Sequence, residues 1–77
     1  MGLREKIFEE FRRKNLAATY IWNFNEYASF CNSDKLNAIE KREFTDELMK
    51  MCEEDLLICE GRMFRLTKKC EIAIWGE

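Results

Sequence analysis

Leu3, Ile7, Phe8 and Phe11 recur at spacings of four, one and three among Arg4, Glu5, Glu9, Glu10, Arg12 and Arg13. That pattern places an apolar stripe on an otherwise charged helix. The spacing predicts a first helix over about 3–14, stopped at Asn15, because asparagine tolerates the left-handed conformation that closes a helix. The β-branched and aromatic run at 18–22 reads as a short strand. Asn23 with Glu26 three residues on is a capping-box pattern for a second helix over about 24–31, with Phe24, Tyr27, Ala28 and Cys31 as its core stripe. Residues 32–43 are open between a short helix capped by Ser33, carrying Leu36 and Ile39, and a structured connector. Phe44, Leu48, Met51 and Cys52 define a third helix over about 44–55 or from somewhat earlier, with Thr45, Asp46 and Glu47 placing negative charge at its start. Two strand-like runs then flank Glu60 and Gly61 and predict a β-hairpin. With Glu60 and Gly61 as the turn, Leu57 opposes Phe64 and Ile58 opposes Met63, and the outer face carries Ile58, Met63 and Arg65. The tail from Lys68 is either a short helix capped by Thr67 or a third strand, since Cys70, Ile72 and Ile74 alternate.

The chain of 77 residues contains no proline and no Gly/Ser-rich stretch, so 1–77 reads as one small domain without a linker. Ten aromatic residues argue for a packed core, and the small size for a fold that gains from a partner or a second copy. The longest apolar runs fall far short of a membrane span, and the charged start lacks a signal-peptide core; the expectation is a cytoplasmic protein with no membrane contact. Gly2 does not make a myristoylation site, because Lys6 stands where Ser or Thr is required.

The sequence has no histidine and no Gly-rich phosphate loop, which removes the commonest general base and nucleophile pairs; an enzyme is not expected, nor a cofactor. Cys31, Cys52, Cys59 and Cys70 are separated by 21, 7 and 11 residues, without a CxxC knuckle. They read as free core or near-core thiols, with no metal site. Met49, Met51 and Met63 read as core filler.

The element order of helix, short strand, helix, helix and hairpin is that of an α+β winged helix-turn-helix domain: a three-helix core, a β-hairpin wing and a short strand between the first two helices. The run GluLeuMetLysMetCysGluGluAspLeuLeuIle, 47–58, resembles the end of the third helix and the entry to the wing in repressors of the multiple-antibiotic-resistance type. GlyArgMetPheArgLeuThrLysLys, 61–69, is similar to their wing and return strand. The resemblance covers under a third of the chain. Leu56 and Cys70 stand where that family has glycine, the segment at 32–43 is longer than its tight turn, and the chain looks like the bare module without the family's dimerisation helices.

What the resemblance implies is a small module that binds double-stranded DNA, in the manner of a transcriptional regulator, through the start of the third helix and the wing. Residues 32–55 carry four basic and eight acidic groups, so the contact must be local. The candidate nucleic-acid-binding residues are Lys41, Arg42, Thr45, Arg62, Arg65, Lys68 and Lys69. The plainer reading gives each cation a surface role: Arg62, Arg65, Lys68 and Lys69 guard an exposed hairpin, while Lys41 and Arg42 pair with Glu40, Glu43 or Asp46. The alternative function is a protein-interaction module on the same fold, using the acidic helix or the Ile58/Met63 face to bind a partner or a second copy weakly.

Overall fold

A computed structural model describes residues 2–76. The amphipathic stripe of the first segment forms α1 (Leu3–Arg13), with Ile7, Phe8 and Phe11 buried and Asn15 in the left-handed region at φ 62°. Glu10, one of the charged residues expected on the outer face, is also buried. The strand expected over 18–22 shrinks to β1 (Ile21–Trp22), because Thr19 turns to φ 72° and its backbone N–H donates to Leu66 O at 2.8 Å instead of extending the strand.

Asn23 caps α2 (Phe24–Cys31) by accepting from the Glu26 backbone N–H. The Glu26 carboxylate accepts the Tyr20 hydroxyl, so the reciprocal arm of the expected capping box is not made to Asn23. Phe30, absent from the expected stripe, is the buried residue of α2; Tyr27 and Cys31 are half-buried against the core and Phe24 is 46% exposed.

The segment left open at 32–43 resolves into a six-residue connector followed by α3 (Ala38–Glu53), six residues earlier than position 44. The complete capping box here is that of Asn37 and Glu40: each side chain bonds the other's backbone N–H, at 2.8 and 3.0 Å. This removes the Ser33-capped helix, and it puts Thr45, Asp46 and Glu47 inside α3 rather than at its start. Leu36 is buried beneath the connector while Ile39 is exposed. Phe44, Leu48 and Met51 face the core as expected, and Asp55 at φ 64° turns the chain out of the helix.

The hairpin forms from β2 (Leu57–Glu60) and β3 (Met63–Leu66), and β1 pairs with β3 on its other side, giving an antiparallel order β1-β3-β2. Its two turn residues are Gly61 and Arg62, one position later than expected. Gly61 at φ 64° supplies the positive φ that a type II′ turn needs at its first central position. Leu57 therefore opposes Leu66 and Ile58 opposes Arg65. This register differs from the expected one by two residues, an even number, so every side chain keeps its face. Leu57, Phe64 and Leu66 point to the core, while Ile58, Met63 and Arg65 point away.

The tail is α4 (Lys68–Trp75), not a strand, with Thr67 Oγ1 accepting from the Cys70 backbone N–H at 3.1 Å. It packs on α1: Arg12 donates to Ile74 O and the Trp75 indole N–H to Leu16 O. The result is a mixed α+β domain of four helices and a three-stranded sheet among the described residues, compatible with a winged-helix-like arrangement. None of these helices is long and apolar enough to cross a membrane.

Trp22 lies at the centre of the core, fully buried, with Phe11 edge-on at 4.8 Å and Tyr27, Phe30 and Phe44 at 5.7–6.1 Å. The thiols divide: Cys70 is fully buried, Cys31 and Cys52 are half-buried, and Cys59, expected at or near the core, is exposed on the edge strand. The methionines divide too, since Met51 fills the core while Met49 and Met63 lie on the surface.

Candidate nucleic-acid interface

The sixteen residues of α3 carry five acidic and three basic groups and hold the first three candidate contacts. Glu40, Glu47 and Glu54 fall seven residues apart, two helical turns each, and so share one side of the helix. That side faces α1. Lys6 meets Glu40 at 2.7 Å, and Arg4 bridges Glu47 at 2.7 Å and Glu54 at 2.8 Å. Hydrogen bonds from Lys6 hold the Glu40 carboxyl below its usual range, and those from Arg4 do the same for Glu54. Much of the negative charge that seemed to oppose DNA is thus neutralised between helices.

On the solvent side of α3 remain Lys41, Arg42 and Lys50 against Glu43, Asp46 and Glu53, all exposed, together with Thr45 and Met49. Among the described residues, none of these three cations makes a salt bridge. The expected pairing of Lys41 and Arg42 with neighbouring carboxylates is therefore not formed. The Cys31 thiol donates to Lys41 O at 3.9 Å and ties the end of α2 to this first turn of α3.

The hairpin contributes differently from its two arginines. Arg65 points from the outer sheet face and grips Glu60 with two hydrogen bonds of 3.0 and 3.2 Å, which raises the guanidinium pKa further. Arg62 sits in the turn, 5.7 Å above the ring of Phe24. A cation held over a ring face by the ring's quadrupole keeps N–H donors that the ring does not use. The same contact brings the hairpin turn to the start of α2. From there Phe24 meets Tyr27 edge-on at 5.5 Å, and Tyr27 meets Phe44 of α3 at 6.3 Å. The path of rings thus runs from the hairpin turn into the core, where Phe44 is buried.

Lys68 and Lys69 lie elsewhere. They begin α4 beyond the base of the hairpin, where the Thr67 hydroxyl donates to Asp55 O at 2.6 Å. Lys68 pairs with Glu71 at 2.8 Å, and Lys69 is close enough to help lower the Glu54 carboxyl, after the dominant effect of Arg4. Glu54 is thirteen residues from Lys41, about 20 Å along a helix of 1.5 Å rise. Lys41, Arg42 and Thr45 thus share the first half of α3, Arg62 lies at the hairpin turn over Phe24, Arg65 is engaged on the outer sheet, and Lys68 and Lys69 lie towards the C-terminal end of α3.

Two contributors were not singled out from sequence: Phe24 as the seat of Arg62, and Arg4 with Lys6 as the neutralising partners of α3. The seven-residue repeat of Glu40, Glu47 and Glu54 was the available signal for the second. Comparison with known protein families, characterised proteins and solved structures finds no match to this chain.

Proposed function

We propose that the protein is a small winged-helix module that binds duplex DNA non-specifically or with modest preference, using the first half of α3 and the wing tip. What supports this reading is that Lys41 and Arg42 on α3 and Arg62 at the hairpin turn are exposed and, among the described residues, make no salt bridge, with Arg62 held 5.7 Å over Phe24. In a winged helix, α3 would enter the major groove by its N-terminal half, and a stacked arginine at the wing tip would take a backbone phosphate. Three phosphate contacts imply a log–log salt slope of roughly −3 and affinities in the range ~10⁻⁴ to 10⁻⁶ M at physiological salt. Glu43 and Asp46 on the same face keep binding weak and discourage it where the groove does not fit.

Fluorescence anisotropy with a labelled 20-base-pair duplex across a salt series tests the proposal. Arg42→Glu and Arg62→Glu each weaken binding and flatten the slope by roughly one unit, whereas Lys69→Glu has little effect. Equal losses from all three variants would contradict the assigned surface.

A second reading rests on a separate observation. The row Ile21, Arg65 and Ile58 crosses all three strands on the outer sheet face, and Met63 adjoins it, so three exposed apolar side chains surround the Arg65–Glu60 pair. A protein partner or a second copy would cover such a face. On this reading the anisotropy stays flat at low salt, and Ile58→Asp abolishes a protein contact instead.

A further inference from the structure

Lys6, Arg12, Arg13, Lys14 and Lys35 gather where α1 meets the connector between α2 and α3, and only Lys6, through Glu40, touches the helix that carries the interface proposed above. At their centre is Glu10, whose side chain is only 3% exposed. It accepts from Arg13 at 2.9 Å, lies 3.3 Å from the Lys14 amine, and accepts from Lys35 at 3.2 Å. Burial alone would push its carboxyl pKa up; the hydrogen bonds from the three cations outweigh burial and hold it below the usual range. One carboxylate shared by three cations leaves two positive charges without a counterpart. The adjoining pairs, Lys6 with Glu40 and Arg12 with Glu9, are balanced.

A cavity of about 630 Å³ opens onto this cluster. Lys6, Arg12, Arg13 and Lys35 line it, Glu9 and Glu10 complete the polar part, and Phe30 adds an aromatic edge. That volume falls within the range of small-molecule sites, roughly 300–1,000 Å³. The lining carries four cations and two carboxylates, and with Lys6 paired to Glu40 one positive charge remains in excess within the cleft.

We propose that this cleft binds a phosphate monoester of a small organic molecule. A monoester carries about −1.5 to −2 charge near neutral pH, to be met by the excess charge of the cleft and that of Lys14 on the same carboxylate just outside it, and it offers three acceptor oxygens to groups rich in donors. Arg13 and Lys35 take the phosphoryl group, because both reach the cleft with more than half or about half of their side chains exposed. The aliphatic stems of Lys6 and Arg12 with the edge of Phe30 form a floor for the organic part. Glu10 holds the cations in place and competes with the ligand for them. Lys35 belongs to the connector, so an occupant would join that connector to α1. The proposal stands independently of DNA binding, since it uses none of the same side chains.

A titration of the ¹⁵N-labelled full chain with adenosine 5′-monophosphate, inorganic phosphate and adenosine tests it. Saturable amide shifts at Glu10, Arg13, Phe30 and Lys35 are expected with the monophosphate, weaker ones with phosphate, and none with adenosine. Arg13→Gln and Lys35→Gln each weaken binding roughly tenfold, the scale of one charge-assisted hydrogen bond. Glu10→Gln tightens it, because the competing carboxylate is gone; a cluster with a structural role only would show lost stability and no tighter binding. Lys35→Gln alters an exposed connector residue and keeps the test valid if the Glu10 variant does not fold. The proposal is overturned by absence of saturable shifts up to about 10 mM monophosphate, by equal shifts with adenosine, by shifts confined to α3 and Arg62, or by unchanged affinity in both the Arg13 and the Lys35 variants.

Discussion

Trp22→Phe separates two opposed contributions at the centre of the core. Trp22 is fully buried, and among the described residues no acceptor reaches its indole Nε1–H. A buried donor without a partner costs about 1–3 kcal/mol. Replacing the indole by a phenyl ring removes that donor together with about two ring carbons, whose burial contributes roughly 0.8 kcal/mol each. The two effects nearly cancel, so the variant should lie within about 1 kcal/mol of the parent protein. Trp22→Ala removes the whole hub between Phe11, Phe30 and Phe44 and should cost about 3–5 kcal/mol. Urea unfolding followed by far-ultraviolet circular dichroism reads both, with an unchanged denaturant slope expected for the phenylalanine variant. A loss of about 3 kcal/mol or more on Trp22→Phe would refute the reasoning, because the indole N–H would then be stabilising the fold.

Asn37→Ala removes one arm of the α3 capping box and should cost about 0.5–2 kcal/mol in the same assay, whereas Ser33→Ala should cost less, because Ser33 caps no helix. Glu10 has a carboxyl pKa lowered on folding, so the unfolded chain binds its proton first; the stability it contributes is complete above the unfolded value of about 4.3 and falls as pH drops through the lower folded value. Urea midpoints between pH 5 and pH 3 should therefore decline less steeply in Glu10→Gln than in the parent; parallel declines would count against this. Burial pushes the Cys70 thiol up to about 12, while Cys59 is exposed, so a disulfide reagent at pH 8 should label Cys59 quickly and Cys70 only after unfolding, as peptide mass spectrometry would show.

Helical periodicity was legible wherever burial followed one face. Leu3 to Phe11 and Phe44 to Met51 announce α1 and most of α3, and Thr67 announces one of the two open readings of the tail. The start of α3 was not legible from its apolar stripe, because Ile39 is exposed and breaks the pattern; the Asn37–Glu40 capping box was the local signal that marked it. The hairpin turn was misplaced by one residue because Gly61 fits either central position of a two-residue turn, and only pairing with the rest of the sheet selects one. Alternation still assigned the correct faces. Charge was the least legible feature. A segment sum treats Glu40, Glu47 and Glu54 as repulsive, yet tertiary contacts from Arg4 and Lys6 forty or so residues away offset two of the three charges. Burial of Glu10 was likewise invisible, since its three cationic partners come from the next turn of its own helix and from a connector whose path is set by the fold.

An amide correlation spectrum of the labelled chain with added 20-base-pair duplex at about 50 mM salt, where electrostatic attraction is only partly screened, tests the assigned DNA surface most directly. The account predicts shifts concentrated at Lys41, Arg42, Thr45 and Arg62, fading as salt rises to about 200 mM, with Lys68 and Lys69 unmoved. No shift at low salt, or shifts centred on Lys68, Lys69 and the outer sheet face, would contradict it.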